Sequence, residues 1–424
     1  MGPVLQSLLG LVALPFIAWL LSEDRRAIAG RDLVKLCAAG LALQLVLAVI
    51  LLRLPQSRVV FTVVDRAVAA LQAATEEGLR FVFGYLAGGP APFAVTAPEH
   101  TFVLAFRALP LILVMSVLSR LLYHWGILQK VVAGFSWALE RSLGVGGALG
   151  TSAAANIFLG MVEAPLLIRP YIKTMGRGAL FATMTVGMAG VAGTVMALYA
   201  SFLERVVPGA AGHILVASIM SVPAALIIAR IMVPHGFFDN GAVALELATA
   251  GPSSSAMDAV AQGTSEGLQL LAYVVAMLVV MIALVALANG IIGAIGHAFG
   301  WSLSLQRILG WIAAPLAWLI GIPWGEAQTA GGLIGIKTVL NEFLAYLELA
   351  RTPDEALSPR SRLILTYGLC GFANLGSLGI LIGGMTAMAP ERRAEIAELA
   401  PRTILAGTLA TLLTGAVVGL VVWP

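Results

Sequence analysis

The sequence predicts an all-α membrane protein with eight transmembrane helices plus two re-entrant helical hairpins in inverted repeats, and with interfacial amphipathic helices. Three observations predict it. The 424 residues are 59% hydrophobic and only 11% charged, with a mean hydropathy of +0.95, which leaves too few charges to coat a water-soluble globule of this size. Apolar runs of about 20 residues, long enough to cross a bilayer as helix, recur along the chain. Two regions also share one layout, a short apolar segment interrupted near its middle by an acid.

Full-length apolar runs occupy 3–22, 34–54, 102–122, 179–203, 212–233, 267–290, 361–388 and 402–423. Helices are expected because hydrocarbon offers backbone groups no other partner. The first run has no basic residue ahead of it and ends at Glu23-Asp24-Arg25-Arg26 instead of a small-residue cleavage site, so it reads as a retained span. Residues 58–86 set Arg58, Asp65, Arg66, Glu76, Glu77 and Arg80 among Val, Leu and Phe, which suits an amphipathic helix lying in the interface. Residues 127–143 and 303–319 read the same way. Residues 236–266, with Gly251-Pro252-Ser253-Ser254-Ser255, read as a polar connector between halves.

Arg25, Arg26, Arg31 and Lys35 follow the first span, Arg169, Lys173 and Arg177 precede the fourth, and Arg392, Arg393 and Arg402 precede the eighth. With eight spans these clusters share one side. The positive-inside rule makes that side cytoplasmic and sends both termini outward, to the periplasm of an inner-membrane protein. Arg351, Arg360 and Arg362 fall on the opposite side.

The duplicated layout is the most specific feature. Residues 150–175 contain Asn156 and the break Gly160-Met161-Val162-Glu163-Ala164-Pro165, followed by a span carrying Gly187, Gly190 and Gly193. Residues 326–350 contain Asn341-Glu342, followed by Gly371-Phe372-Ala373-Asn374-Leu375-Gly376-Ser377. The span count brings the two hairpins in from opposite faces, and inverted repeats with interrupted helices are the signature of secondary transporters. The expected organisation is a scaffold over 1–149, a first transport repeat over 150–235, a connector, span and interfacial helix over 236–324, and a second transport repeat over 325–424.

A carboxylate inside a bilayer is costly and marks function, so Glu163 and Glu342 are the candidate site acids. Pro165 suits a helix start just after Glu163. Glu342 is able to accept hydrogen bonds from two neighbouring hydroxyls, as on a sugar, or else to pair with Lys337. Asn374 and Ser377 share a helix face, and Phe372 offers a flat apolar surface. His100, His124, His213, His235 and His297 sit at span ends and read as interfacial, while Cys37 and Cys370 have no disulfide or metal spacing. HExxH, GxSxG and Walker A patterns do not occur, which argues against a membrane enzyme or an ATP-driven pump and leaves an ion gradient as the energy source. No basic patch with exposed aromatics points to nucleic acid.

These motifs resemble the concentrative nucleoside transporter family. The resemblance rests on Gly160-Met-Val-Glu163-Ala-Pro-Leu-Leu-Ile-Arg-Pro170, on Gly325-Glu326 leading to Leu340-Asn341-Glu342-Phe343, and on Leu369-Cys-Gly-Phe-Ala-Asn374 through Gly383-Gly384 to Ala389-Pro-Glu-Arg-Arg393. It implies a homotrimer in which a transport domain of hairpins and broken helices moves within a scaffold, elevator fashion. It implies ribose binding by Glu342, Asn374 and Ser377, an aromatic beside the base at Phe372, and base reading by Met161, Val162 and Glu163. It also implies a sodium site of Asn156, backbone oxygens of Leu159 and Val191, and a hydroxyl at the position of Gly190. Two positions depart from the pattern, since Met161 and Val162 are apolar where polar residues are usual and Gly190 has no hydroxyl. The expected activity is therefore ion-coupled nucleoside import with sodium or proton as the coupling ion. The alternative cargo is a modified nucleoside or other ribose-bearing compound.

Overall fold

The computed structural model describes residues 2–28, 30–53, 55–96, 101–237, 253–298, 300–301 and 303–422. Among them the chain is helical, with no strand. In order the helices are α1 (Pro3–Leu20), α2 (Gly30–Arg53), α3 (Pro55–Phe83), α4 (Leu104–Arg107), α5 (Leu111–His124), α6 (Ile127–Leu143), α7 (Gly147–Ala155), α8 (Glu163–Leu166), α9 (Arg169–Ile172), α10 (Arg177–Ala189), α11 (Gly193–Leu203), α12 (Ala210–Met232), α13 (Ala256–Ala298), α14 (Leu305–Leu319), α15 (Trp324–Val339), α16 (Glu342–Arg351), α17 (Pro359–Gly368), α18 (Leu375–Met388) and α19 (Arg393–Val421).

Helix pairs and helix interruptions stand at the positions expected for the two hairpins and the two broken helices. The first hairpin is α7 with α8 and α9, and α10 and α11 follow around a break at 190–192. The second is α15 with α16, and α17 and α18 follow around a break at 369–374. Local chemistry places the restarts. Asn341 and Asn374 are N-caps whose side chains accept from Leu344 N–H and Ser377 N–H at 2.8 and 2.7 Å, and Ser358 caps α17 ahead of Pro359. Between α10 and α11, Gly190 and Ala192 are extended, which ends one helix and aims the next.

Hydrogen bonds tie the bases of the two helix pairs to opposite ends of α19. Arg392, at the start of α19, donates to Ile172 and Met175 carbonyls at the base of the first hairpin, at 2.8 and 2.6 Å. Arg360 reaches Gly321 O, just before the second hairpin, and Val422 O, at the far end of α19, at 2.6 and 3.1 Å. Arg362, expected on that same far side, is buried and closes the C-terminus of α16 by donating to Leu349 O and Thr352 O at 3.1 and 2.7 Å.

Ion pairs join the segments that carry the second and third basic clusters to each other and to Glu23, next to the first. Arg177 pairs with Glu23 at 2.8 Å and Glu398 at 2.6 Å, Arg402 also pairs with Glu23, and Lys173 pairs with Glu391 at 3.4 Å. The hydrogen bond from Arg177 holds the Glu23 carboxyl below its ordinary value of 4.5. A depressed carboxylate stabilises the fold above the unfolded value and loses that contribution as pH falls through the folded one. Acidification below 4.5 is therefore expected to lower the melting temperature. Glu23→Gln should flatten that fall and cost about 1 kcal/mol at neutral pH. An unchanged pH profile in the variant contradicts this.

Several boundaries differ from expectation. Among the described residues five stretches are long and apolar enough to cross a membrane, Leu104–His124 (α4–α5), Arg177–Leu203 (α10–α11), α12, α13 and Pro390–Val421 (with α19), or six if α14 and α15 are one span, while α1, the Cys37–Arg53 part of α2 and α18 are apolar but shorter. The 102–122 run is not one helix, because the Ala108–Pro110 turn separates α4 from α5. The 267–290 span is part of α13, which begins at Ala256 and so takes in the end of the expected connector; residues 238–252 of that connector lie outside the described residues. At 43 residues α13 is about 65 Å long. Its apolar window is almost entirely uncovered, whereas those of α12 and α19 are almost entirely buried. The helix expected to be interfacial at 303–319 is α14, which bends 116° into α15 and packs along it. That contact is backbone to backbone, since a β-carbon at Gly331 would lie 2.6 Å from Gly310 O.

Candidate functional site

The second hairpin and the second interrupted helix bring their N-termini together. Glu342 is the first residue of α16 and only 5% exposed, so its carboxylate sits at the positive end of that helix. Tyr199 Oη donates to Glu342 Oε1 at 2.6 Å, and Asn374 Nδ2 donates to Glu342 Oε2 at 2.9 Å. Asn374 Oδ1 meanwhile accepts from Ser377 N–H, so one amide caps α18 and orients the acid. Each carboxylate oxygen retains accepting capacity, and Glu342, Asn374 and Ser377 all line one cavity of about 180 Å³. The expected grouping of Glu342, Asn374 and Ser377 is present, with half-buried Phe372 on the same wall.

The first hairpin tip supplies the opposite wall. Gly160, Met161, Val162 and Glu163 line the cavity, so both candidate acids face one chamber. Val162 packs on Gly384 of α18, where a β-carbon would be 2.7 Å from Cγ2, and Met161 Cβ would stand 3.0 Å from one at Gly187 of α10. The tip thus meets its neighbours through apolar contacts. Glu163 does begin α8, as Pro165 suggested, but its side chain is exposed and folds over Gly160 towards a second, wider cavity. That cavity, of about 610 Å³, runs past Leu166, Leu167, Tyr123 and the Arg120–Glu266 ion pair, and shares Gly160, Glu163 and Tyr273 with the first. It adjoins the first cavity as a vestibule.

One expectation for a side chain is corrected. Lys337 does not pair with Glu342; it is fully buried and donates to Thr411 Oγ1 at 2.8 Å, because α15 turns it towards α19 and away from the hairpin tip. His213, in the first turn of α12, packs between Phe61 and Tyr367, with Nδ1 2.9 Å from Tyr367 Oη. His100 lies outside the described residues.

Asn156, the expected cation ligand, is 3% exposed at the end of α7. Its Nδ2 donates to Val186 O at 2.8 Å while its Oδ1 is buried without a partner. Gly190 lies beside it, since a β-carbon there would be 2.8 Å from Asn156 Nδ2. The adjoining peptides bind the hairpin tip and the other break, with Gly193 N–H to Phe158 O at 3.0 Å and Phe372 N–H to Gly190 O at 3.2 Å. Leu159 borders the vestibule and Val191 is buried in the break. No cluster of His, Cys, Asp or Glu suited to a metal occurs among the described residues.

Sequence reasoning missed Tyr199, which lies 143 residues before its partner Glu342 in a segment, Leu198-Tyr199-Ala200, that reads as ordinary apolar helix. It also missed Thr194 and Tyr273 in the cavity wall.

The chamber is lined by both hairpin tips and both interrupted helices of an all-helical, apolar chain, the arrangement that marks a secondary transporter. Comparison with known proteins gives the family. Residues 9–86 and 213–419 match the N-terminal and C-terminal parts of the Na+ dependent nucleoside transporter family, and 105–205 match a region described as nucleoside recognition. The nucleoside permease NupC of Helicobacter pylori is 37% identical over 98% of this chain and 97% of its own. An uncharacterized transporter of Haemophilus influenzae is 41% identical, covering 98% and 97%. Human solute carrier family 28 member 3 is 33% identical over 90% of this chain and 55% of its own. The solved structure of CNTnw in an inward-facing substrate-bound state superposes with a TM-score of 0.87 at 39% identity, covering 99% of this chain and 97% of that one. The chain belongs to the Na+ dependent nucleoside transporter family.

Proposed function

We propose that the protein is a sodium-coupled symporter that imports nucleosides across the inner membrane. The observation that carries this reading is Glu342, held by Tyr199 and Asn374 with accepting capacity turned into a chamber that both hairpins close. A carboxylate in that posture grips vicinal hydroxyls, as on a ribose, while Phe372 faces a planar base. Sodium is favoured over a proton because Asn156 presents a buried, unpartnered amide oxygen, which suits a hard cation, whereas Glu163 stands exposed in the vestibule. The apolar pair Met161 and Val162 favours recognition of the base by shape, and so admits a modified nucleoside or other ribose-bearing compound as cargo.

Eight spans and two re-entrant hairpins follow if α1, α2, the α4–α5 segment, the two interrupted helices, α12, α13 and α19 each cross. The transport domain is then 150–235 with 325–424, moving elevator fashion against 1–149 and 236–324, with both termini periplasmic and the vestibule opening to the cytoplasm. The uncovered apolar face of α13 suits contact with two further copies in a homotrimer.

In proteoliposomes an inward sodium gradient at equal pH is expected to drive accumulation of labelled nucleoside, and a pH gradient without sodium is not. Accumulation under the pH gradient alone overturns sodium coupling. Failure of free ribonucleosides to compete, with competition by free bases instead, overturns the assignment of Glu342 to the sugar.

A further inference from the structure

We propose that Ser221 supplies the hydroxyl ligand of the coupling cation, taking the place of the side chain that residue 190 lacks, and that the site so formed takes sodium. This rests on the sodium-symport reading and names a ligand from α12, outside the hairpin and the break.

The first repeat leaves a gap in its chemistry. Asn156 Oδ1 is buried and unpartnered, Gly190 offers no hydroxyl, and a β-carbon at residue 190 would lie 3.8 Å from Ser221 Oγ. Ser221 therefore borders the space that a serine at 190 would fill. Its proton goes to Ser218 O at 2.9 Å, so what it presents to the break is lone pairs. The C-terminal end of α10 adds the negative pole of a half-helix, an end that favours cations.

The second repeat displays the same device with its cation built in. Thr411, on the matching span α19, gives its proton to Thr408 O at 3.0 Å, the same three-residue back-bond as in Ser221, and its lone pair accepts the Lys337 ammonium at 2.8 Å. Thr411 also borders the second break, its methyl Cγ2 2.9 Å from a β-carbon position at Gly371 while its hydroxyl turns to Lys337. The two breaks are joined by the hydrogen bond from Phe372 N–H to Gly190 O. Hairpin helix α15 brings the cation there as a lysine, but its counterpart α7, Gly-Ala-Leu-Gly-Thr-Ser-Ala-Ala-Ala, has no cationic side chain. A cation at Ser221 has to come from solution.

The test is thermal stabilisation of the purified full chain by sodium at constant ionic strength, with potassium as the balancing salt. Sodium is expected to raise the wild-type melting temperature. Ser221→Ala, and Ser221→Cys as the variant that preserves volume, should each raise the half-saturating sodium concentration by about tenfold, and Ser221→Thr should leave it within about twofold. Thr185→Val is the control, because Thr185 Oγ1 is a second buried hydroxyl without a partner near the end of α10. A wild type indifferent to sodium overturns the symport reading and this proposal together. A sodium-responsive wild type matched by unshifted Ser221→Ala and Ser221→Cys overturns the Ser221 assignment alone. A shift confined to Thr185→Val gives the role to Thr185 and also overturns it.

Discussion

Glu342→Gln is expected to reduce nucleoside uptake by about 100-fold, on the order of 3 kcal/mol of binding, with little change in melting temperature. The isosteric amide keeps both internal contacts if its oxygen turns to Asn374 Nδ2 and its nitrogen donates to Tyr199 Oη, which accepts as readily as it donates. What disappears is the charge that strengthens hydrogen bonds from the substrate's hydroxyls, contacts worth about 1.5–3 kcal/mol each when one partner is ionised. Uptake and equilibrium binding measured side by side give the answer. A variant that accumulates nucleoside at the wild-type rate removes Glu342 from the sugar site, and one that melts far below the wild type reduces the residue to a structural role.

Asn374 should separate structure from binding through two substitutions. Asn374→Ala leaves the Ser377 N–H and Glu342 Oε2 without their partner, and an unmet buried group costs about 1–3 kcal/mol, so loss of transport is expected together with about 3 kcal/mol of stability. Asn374→Asp keeps an acceptor for Ser377 N–H but sets a second carboxylate against Glu342 in place of a donor. It should retain more stability than the alanine variant and still transport at least about 100-fold more slowly, as repulsion of like charges displaces the sugar-gripping acid. Thermal melts with uptake assays on both variants decide this. Normal transport by Asn374→Asp shows that only the helix cap matters.

Much of this site is legible because lipid makes polar residues conspicuous. Asn156, Glu342 and Asn374 interrupt apolar runs, and the interruption itself marks where helices break. Span parity leads to the expectation that the hairpins enter from opposite faces, and Arg392 and Arg360 anchor them at opposite ends of α19. Partnerships across the fold were not readable. Tyr199 joins Glu342 over 143 residues and Lys337 joins Thr411 over 74, and a tyrosine or lysine in a run carries no mark of which distant element it meets. Proximity in sequence misled for Lys337 and Glu342, because the hairpin tip lies between them and turns their side chains apart. Boundaries of α13 were missed because hydropathy sees the apolar centre of a long helix but not its polar ends.

The main-chain bond from Phe372 to Gly190 has a mechanical consequence. It clasps the two interrupted helices at their bends, the first hairpin tip fastens to the same knot through Phe158, and Glu342 is tied in through Asn374. Under the proposed symport, the seats for cargo and cation therefore ride on a single keel, and slippage of sodium with no cargo aboard is expected to begin with the rupture of that clasp.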